Sequence, residues 1–239
     1  YKRQIHNAST LNSAGYTGSG VKVAVVDTGI DASHPEFDGK TIAGYDFASS
    51  ASGYGKDEAG HGTHVASIIA GDNDNSGMQG IAYNATVYDY KTDNDGDNEF
   101  EGVSTDASRA AIYNRHVTDN INVSNNSWGS GYTIGQVSEA TIRSWDSNTI
   151  TALRAAQNNG TLFVFAAGNS GNLTTQTTQP SYTGAMPYRI TELADEWLLV
   201  VSVDKNLQEA KWTQRCGYAW SFCVAAVGGA YDNTASALS

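Results

Sequence analysis

Three polar residues sit where side-chain chemistry needs support. Asp27 closes the apolar run Val21–Val26. A carboxylate at such a point is costly unless it is paired or hydrogen-bonded. It either caps the following turn or serves a partner. His61 lies in Gly60-His61-Gly62-Thr63-His64-Val65-Ala66. Its flanking glycines keep the surroundings open and let another backbone approach. The positive end of a helix dipole disfavours an imidazolium, which suits a neutral general base. His64, next to Val65 and Ala66, reads as a structural imidazole. Zinc fits poorly, because the two histidines are three apart, not four, with no Glu between them. Asn169 follows Thr161–Ala167. It is either a turn residue or an amide placed to donate to a developing oxyanion.

Two acidic stretches and a cysteine pair also invite chemistry. Asp93, Asp95, Asp97, Glu99 and Glu101 alternate, and in an extended strand they would share one face. A solvated acidic loop is one reading. A structural calcium ion held by hard oxygens is another. An EF-hand is excluded, since Gly96 is misplaced and the twelfth position is Ser104. Asp72–Gly77 is a second acidic loop, to which no metal is assigned. Cys216 and Cys223 make no zinc pattern, with two thiols and no nearby His. A local disulfide closing a hairpin fits better and implies an oxidising compartment. Two reduced core cysteines are the alternative.

The elements that must position these groups are legible as short runs. Strands are expected at Val21–Asp27, Ala85–Lys91, Asn120–Asn125, Thr161–Ala166 and Trp197–Val203. Helices are expected at His64–Ala70, Ser104–Asn114 and Ile134–Asn158. Strands buried on both faces and alternating with helices imply a parallel, doubly wound α/β sheet. Sites on such sheets gather beyond the carboxyl ends of the strands. Asp27-Thr28-Gly29, Asn126–Gly129 and Gly168-Asn169-Ser170 occupy that rim. Gly15, Gly18 and Gly20 precede the first strand, whereas a phosphate loop must follow it. A dinucleotide site is thereby excluded.

Composition narrows the class further. The chain has 239 residues, with 14 Lys and Arg against 25 Asp and Glu, for a net charge of −11. An acidic chain lacks the basic face that nucleic acid requires. Its apolar runs fall far short of the ~20 residues of a membrane helix. The start, Tyr1-Lys2-Arg3, lacks Met and an apolar leader, and reads as a processed or cloned terminus.

Taken in order, Asp27-Thr28-Gly29, Gly60–Ala66, Asn126–Gly129 and Ala166-Ala167-Gly168-Asn169 resemble the subtilisin-like serine proteases (subtilases, peptidase family S8). Val25–Asp31 with His34–Phe37 is similar to the segment around the family's catalytic Asp. The similarity runs from about Val21 to Gly229. It implies a three-layer α/β fold with a mainly parallel central sheet, and serine endopeptidase chemistry. Asp27 and His61 would be catalytic and Asn169 the oxyanion-hole donor. Ser127, Trp128 and Gly129 would run antiparallel to an extended peptide. Ala166, Ala167 and Gly168 would wall the first specificity pocket, opposite an edge near Asn98–Gly102. An acidic edge there would favour peptides with basic residues upstream of the cut. The chemistry requires no cofactor. The segment from Arg215 to Ala225 resembles the protease domains of bacterial autotransporters, although Ala226-Val227-Gly228 stands in place of Ala-Pro-Gly. That likeness implies a secreted or cell-surface protein, anchored through a separate outer-membrane β-barrel.

The family's Gly-Thr-Ser nucleophile motif does not occur in the sequence. Ser170 and Ser239 lack its context. Residues 1–239 are therefore expected to be a catalytic domain incomplete at its C-terminus. Its partners would be polypeptide substrates and the remainder of the same domain. That expectation is favoured because a sheet face without its covering helix would leave a large apolar patch. The alternatives are a deliberately shortened piece, an inactive relative that only binds peptides, or a calcium-dependent adhesive module.

Overall fold

The computed structural model describes residues 7–49, 53–93, 100–170 and 179–228. Among the described residues run, in order, α1 (Ala8–Ser13), β1 (Lys22–Asp27), β2 (Ala43–Asp46), α2 (His61–Ala70), β3 (Thr86–Lys91), α3 (Asp106–Asp119) and β4 (Val123–Asn126). They are followed by α4 (Glu139–Trp145), α5 (Ser147–Asn158), β5 (Leu162–Ala166), β6 (Trp197–Val203) and β7 (Cys223–Val227). The class is α/β, with a mainly parallel sheet and flanking helices, as expected. The chain divides into two compact units at Asn125/Asn126.

In the first unit the strand order is β2-β3-β1-β4. The parallel register sets Val25 against Asp89 and Asp27 against Lys91. Parallel neighbours need a crossover, and α2 supplies it between β1 and β3. Its small residues Ala66 and Ala70 pack with Val23, Val25, Val87, Ile30 and Phe37. Small side chains on this face let the helix lie close to the sheet. α3 starts at a capping box in which Thr105 and Ser108 satisfy each other's backbone. It ends at Asn120, whose φ of 53° stops the helix.

In the second unit β5, β6 and β7 run parallel in that order. Phe165 stacks on Trp197 at 4.7 Å, and the Trp197 indole donates to the Gly184 carbonyl at 2.8 Å. No helix among the described residues is long and apolar enough to cross a membrane.

Several expectations need correction. The segment 134–158 is two helices, not one. Ser138 caps α4, and the buried Asp146 (φ −130°, ψ 28°) breaks the run before α5. α2 begins three residues earlier than expected, at His61. α3 spans Asp106–Asp119 instead of Ser104–Asn114. β2 and β7 are strands beyond those expected; Ala43-Gly44-Tyr45-Asp46 in β2 carries no β-branched residue. The cysteines are bridged, with Cα atoms 5.8 Å apart. The bridge closes a 3-10 turn at Gly217–Phe222 leading into β7, not a hairpin. Asp95, Asp97 and Glu99 lie outside the described residues. Asp93 is buried just after β3, and the backbone at Glu101 opens a 3-10 turn, not an extended strand.

Candidate active site

Asp27 is the last residue of β1 and is 1% exposed. Its Oδ1 lies 2.6 Å from Nδ1 of His61 and accepts from the Thr28 NH at 2.8 Å. Its Oδ2 is buried with no hydrogen-bond partner among the described residues. The Asp27 carbonyl is fixed by the Thr92 NH at 2.8 Å and the Thr92 hydroxyl at 2.9 Å. The carboxylate is thus rigid, desolvated and directed at one imidazole. Because Asp27 can only accept when ionised, Nδ1 carries the proton and Nε2 keeps its lone pair.

The start of α2 holds the other half of the pair. Gly60 has φ +84° and no capping side chain. Asp57 does that work from three residues upstream. One of its oxygens accepts from the Gly60 NH (2.8 Å), the Ala59 NH (3.2 Å) and the Thr28 hydroxyl (2.9 Å). The other accepts from the Thr63 NH (2.9 Å) and hydroxyl (2.6 Å). Thr28 Oγ1 in turn accepts from the Gly62 NH at 2.9 Å. A carboxylate at a helix N-terminus satisfies open NH groups and the dipole together, which is why α2 extends back to His61. Gly62 sits so tightly over the turn after β1 that any Cβ would collide with the Gly29 carbonyl oxygen.

The Asp27 hydrogen bond raises the His61 imidazole above its ordinary 6.5. Burial opposes the rise, while the charges of Asp27 and Asp57 add to it. The helix dipole acts to lower the value, and the two carboxylates act the other way. His64 lines a cleft with Asp31, His34 and Thr63, whereas it is His61 that meets Asp27.

The remaining candidates belong to the second unit. Asn169 is exposed just beyond β5. Ala166 ends that strand, and Ala167 is buried, its NH donating to Val200 and its carbonyl accepting from Ser181. Gly168 has φ +114°, and a Cβ there would collide with Gln214. Its carbonyl accepts from the Gln214 NH at 2.9 Å. Ser127, Trp128 and Gly129 follow β4. Trp128 is buried edge-on to Phe165, and Gly129 packs against Ser181, whose hydroxyl accepts from the Ser130 NH at 2.8 Å. Gln214 also donates to the Gln179 carbonyl at 3.1 Å, and Cys216, bridged to Cys223, follows it two residues on.

Sequence reasoning missed Thr28, Asp57 and Thr63, which hold His61 in place. Asp57 had a signal: an acidic residue just before a helix start is a capping cue. Among the described residues, no group of three or more His, Cys, Asp or Glu side chains is arranged to hold a metal ion.

Comparison with known proteins sets this geometry in a class. The profile of the subtilase family (peptidase S8) matches residues 18–239. Subtilisin E of Bacillus subtilis (strain 168) is 34% identical over 166 residues, which cover 69% of this chain and 38% of that protein. An extracellular serine protease of Serratia marcescens is 30% identical over 244 residues, covering 87% of this chain and 22% of that protein. The fold matches the solved prenylagaramide maturation protease PagA with a TM-score of 0.71 at 22% identity, over 92% of this chain and 67% of that one. It also matches MycP1 with its N-terminal propeptide removed, with a TM-score of 0.67 at 23% identity, over 94% of this chain and 68% of that one. The chain belongs to the subtilase family. It spans less than two fifths of the length of either curated relative.

Proposed function

We propose that the chain carries the acid–base half of a serine endopeptidase acting on polypeptides. The observation that carries this reading is the 2.6 Å contact between Asp27 Oδ1 and His61 Nδ1, with Asp27 buried and the start of α2 pinned by Asp57. Asp27 fixes the tautomer and stabilises the imidazolium, and His61 Nε2 takes the proton from an attacking serine. Asn169 donates to the oxyanion of the tetrahedral intermediate. Loss of one such donor costs about 10²–10³ in turnover, a range measured on a subtilisin. The serine is that of a Gly-Thr-Ser motif outside these 239 residues, in the remainder of the same catalytic domain. Ser127–Gly129 pair with the extended substrate, and Ala166–Gly168 wall its first side-chain pocket.

The named activity of two curated relatives, an extracellular serine protease and subtilisin E, supports this reading. The Cys216–Cys223 bridge supports a secreted or cell-surface location. Anchoring through a separate outer-membrane barrel is the finer form of that proposal. Acyl transfer here requires no cofactor, and calcium, if bound, has a structural role.

A serine-directed phosphonate tests the reading when combined with intact-mass analysis under denaturing conditions. Labelling of a polypeptide that co-purifies with this chain, abolished by His61→Ala, is the expected result. Peptide binding without labelling overturns it in favour of an inactive peptide-binding module.

A further inference from the structure

Asp89 is a second carboxylate placed inside an apolar strand. It lies in β3 between β1 and β2, opposite Val25 on one side and Gly44 on the other, and is fully buried. Its Oδ2 accepts from the Gly55 NH at 2.8 Å, the Ile30 NH also faces the carboxylate, and Oδ1 is buried without a partner at hydrogen-bond distance among the described residues. Two residues along, on the same face, Lys91 is buried. Its ammonium pairs with Glu58 and reaches the Lys56 carbonyl at 3.4 Å. One face of β3 therefore grips the 55–58 segment at three successive points: the Gly55 NH, the Lys56 carbonyl and the Glu58 carboxylate. Asp57, which pins the start of α2, lies inside that segment, and His61 follows it. The segment is also close-packed from the other side, because a Cβ on Gly29 would collide with the Lys56 carbonyl oxygen.

We infer that Asp89 is a positioning residue whose carboxylate, acting through Gly55 and the 55–60 segment, sets how firmly His61 is held on Asp27. The inference rests on the reading of Asp27 and His61 as the acid–base pair. A buried carboxylate left half-satisfied is costly, so this one costs stability in exchange for a fixed Gly55. The charged groups around it are Lys91 on its own strand and Asp57 on the gripped segment. Glu58 neutralises Lys91, and Asp46 ends β2 opposite Lys91. The ladder neighbours Val25 and Gly44 carry no charge.

Burial raises the Asp89 carboxyl to about 7; the Gly55 and Ile30 NH groups and Lys91 oppose the rise, and Asp57 adds to it. Near neutrality the residue therefore passes from a neutral acceptor to an ionised one. A hydrogen bond to an ionised acceptor is roughly twice as strong. The tether to Gly55 therefore tightens as pH rises through about 7.

The test is NMR on the full protein labelled with 15N-glycine and 15N-histidine, between pH 5 and 9. The Gly55 amide shift is expected to titrate with a midpoint near 7, and the His61 Nδ1 proton to exchange about tenfold more slowly above that midpoint. Asp89→Asn keeps the shape and removes the charge. It is expected to abolish the Gly55 titration and leave His61 exchange at the faster limit, while raising the denaturant midpoint at pH 8. A residue with only a structural role would not pair gained stability with a loosened His61. A Gly55 titration unchanged in Asp89→Asn, or His61 exchange identical in both proteins at every pH, overturns the inference. The wild-type titration needs no variant to fold. Failure of phosphonate labelling with the Gly55–His61 coupling intact would sink the protease reading and leave the tether standing.

Discussion

At the scale of single residues, the site is governed by which carboxylate faces which donor. Asp27 contributes one fixed, desolvated oxygen to His61, and Asp57 contributes a second negative charge nearby. The sign of the resulting pH dependence is definite. His61 is raised in the folded state, so the stability that its protonated form gains from Asp27 is complete below 6.5. That stability is lost as pH rises through the folded-state pKa. On the proposed reading catalysis needs the deprotonated ring, so activity is expected to climb over the same interval. Asp27→Asn is expected to lower the His61 titration midpoint, read from its ring proton shifts. On the proposed protease reading it should also reduce turnover by about 10⁴, through loss of the correct tautomer. An unchanged midpoint would mean that Asp27 does not set the His61 charge.

At the scale of elements, what matters is how closely the start of α2 approaches the turn after β1. That approach depends on having no side chain at Gly62, where a Cβ would meet the Gly29 carbonyl oxygen and lie 3.1 Å from the Asp27 Cβ. Gly62→Ala must push α2 away from β1. Overpacking of this kind costs about 1–3 kcal/mol, measurable as a lower denaturant midpoint. The displacement also stretches the 2.6 Å Asp27–His61 contact, so the low-field Nδ1 proton signal should weaken or vanish. A variant of unaltered midpoint with that signal retained would show that α2 has slack at this point. The glycines flanking His61 suggested an open surrounding in the sequence. In the fold Gly62 serves the opposite purpose, a tight helix–strand crossing.

At the scale of the whole chain, two buried groups of opposite sign shape the stability profile. His116 is fully buried, with Nδ1 2.9 Å from the Ile112 carbonyl oxygen and Nε2 2.7 Å from the Ser124 hydroxyl. Burial drives it down to about 4, against the opposing Ile112 hydrogen bond and the charge of Asp119. Between about 4 and 6.5 the unfolded chain binds that proton and the folded one does not, so this group makes stability rise with pH. Asp89, raised from 3.8 to about 7, does the reverse over nearly the same interval. Each group contributes at most about 1.4 kcal/mol per pH unit, so the two largely cancel. His116→Gln removes one of them. Urea unfolding at pH 4.5, 5.5 and 6.5 is expected to show a stability slope more negative by up to about 1.4 kcal/mol per pH unit than in the parent. Equal slopes would show that His116 titrates normally in the fold.

The local pattern of the chain was enough for the α/β class, the five strands of β-branched character and the pairing of Cys216 with Cys223, whereas Asp27 and His61 became a candidate pair only through the ordered motifs that resemble the subtilases. The strands and the cysteine pairing are properties of neighbours in sequence: β-branched runs bounded by turns, and two thiols seven residues apart. Tertiary structure alone decided how the pair is held. Asp57, Thr28 and Thr63 meet only when β1 and the start of α2 come together, and Asp89 reaches Gly55 only across a strand ladder. The break at Asp146 and the strand at Ala43–Asp46 likewise depend on burial and ladder partners, not on local propensity. Short-range pattern reports what a residue prefers, whereas a site is made by residues distant in sequence whose polar groups satisfy one another where water cannot.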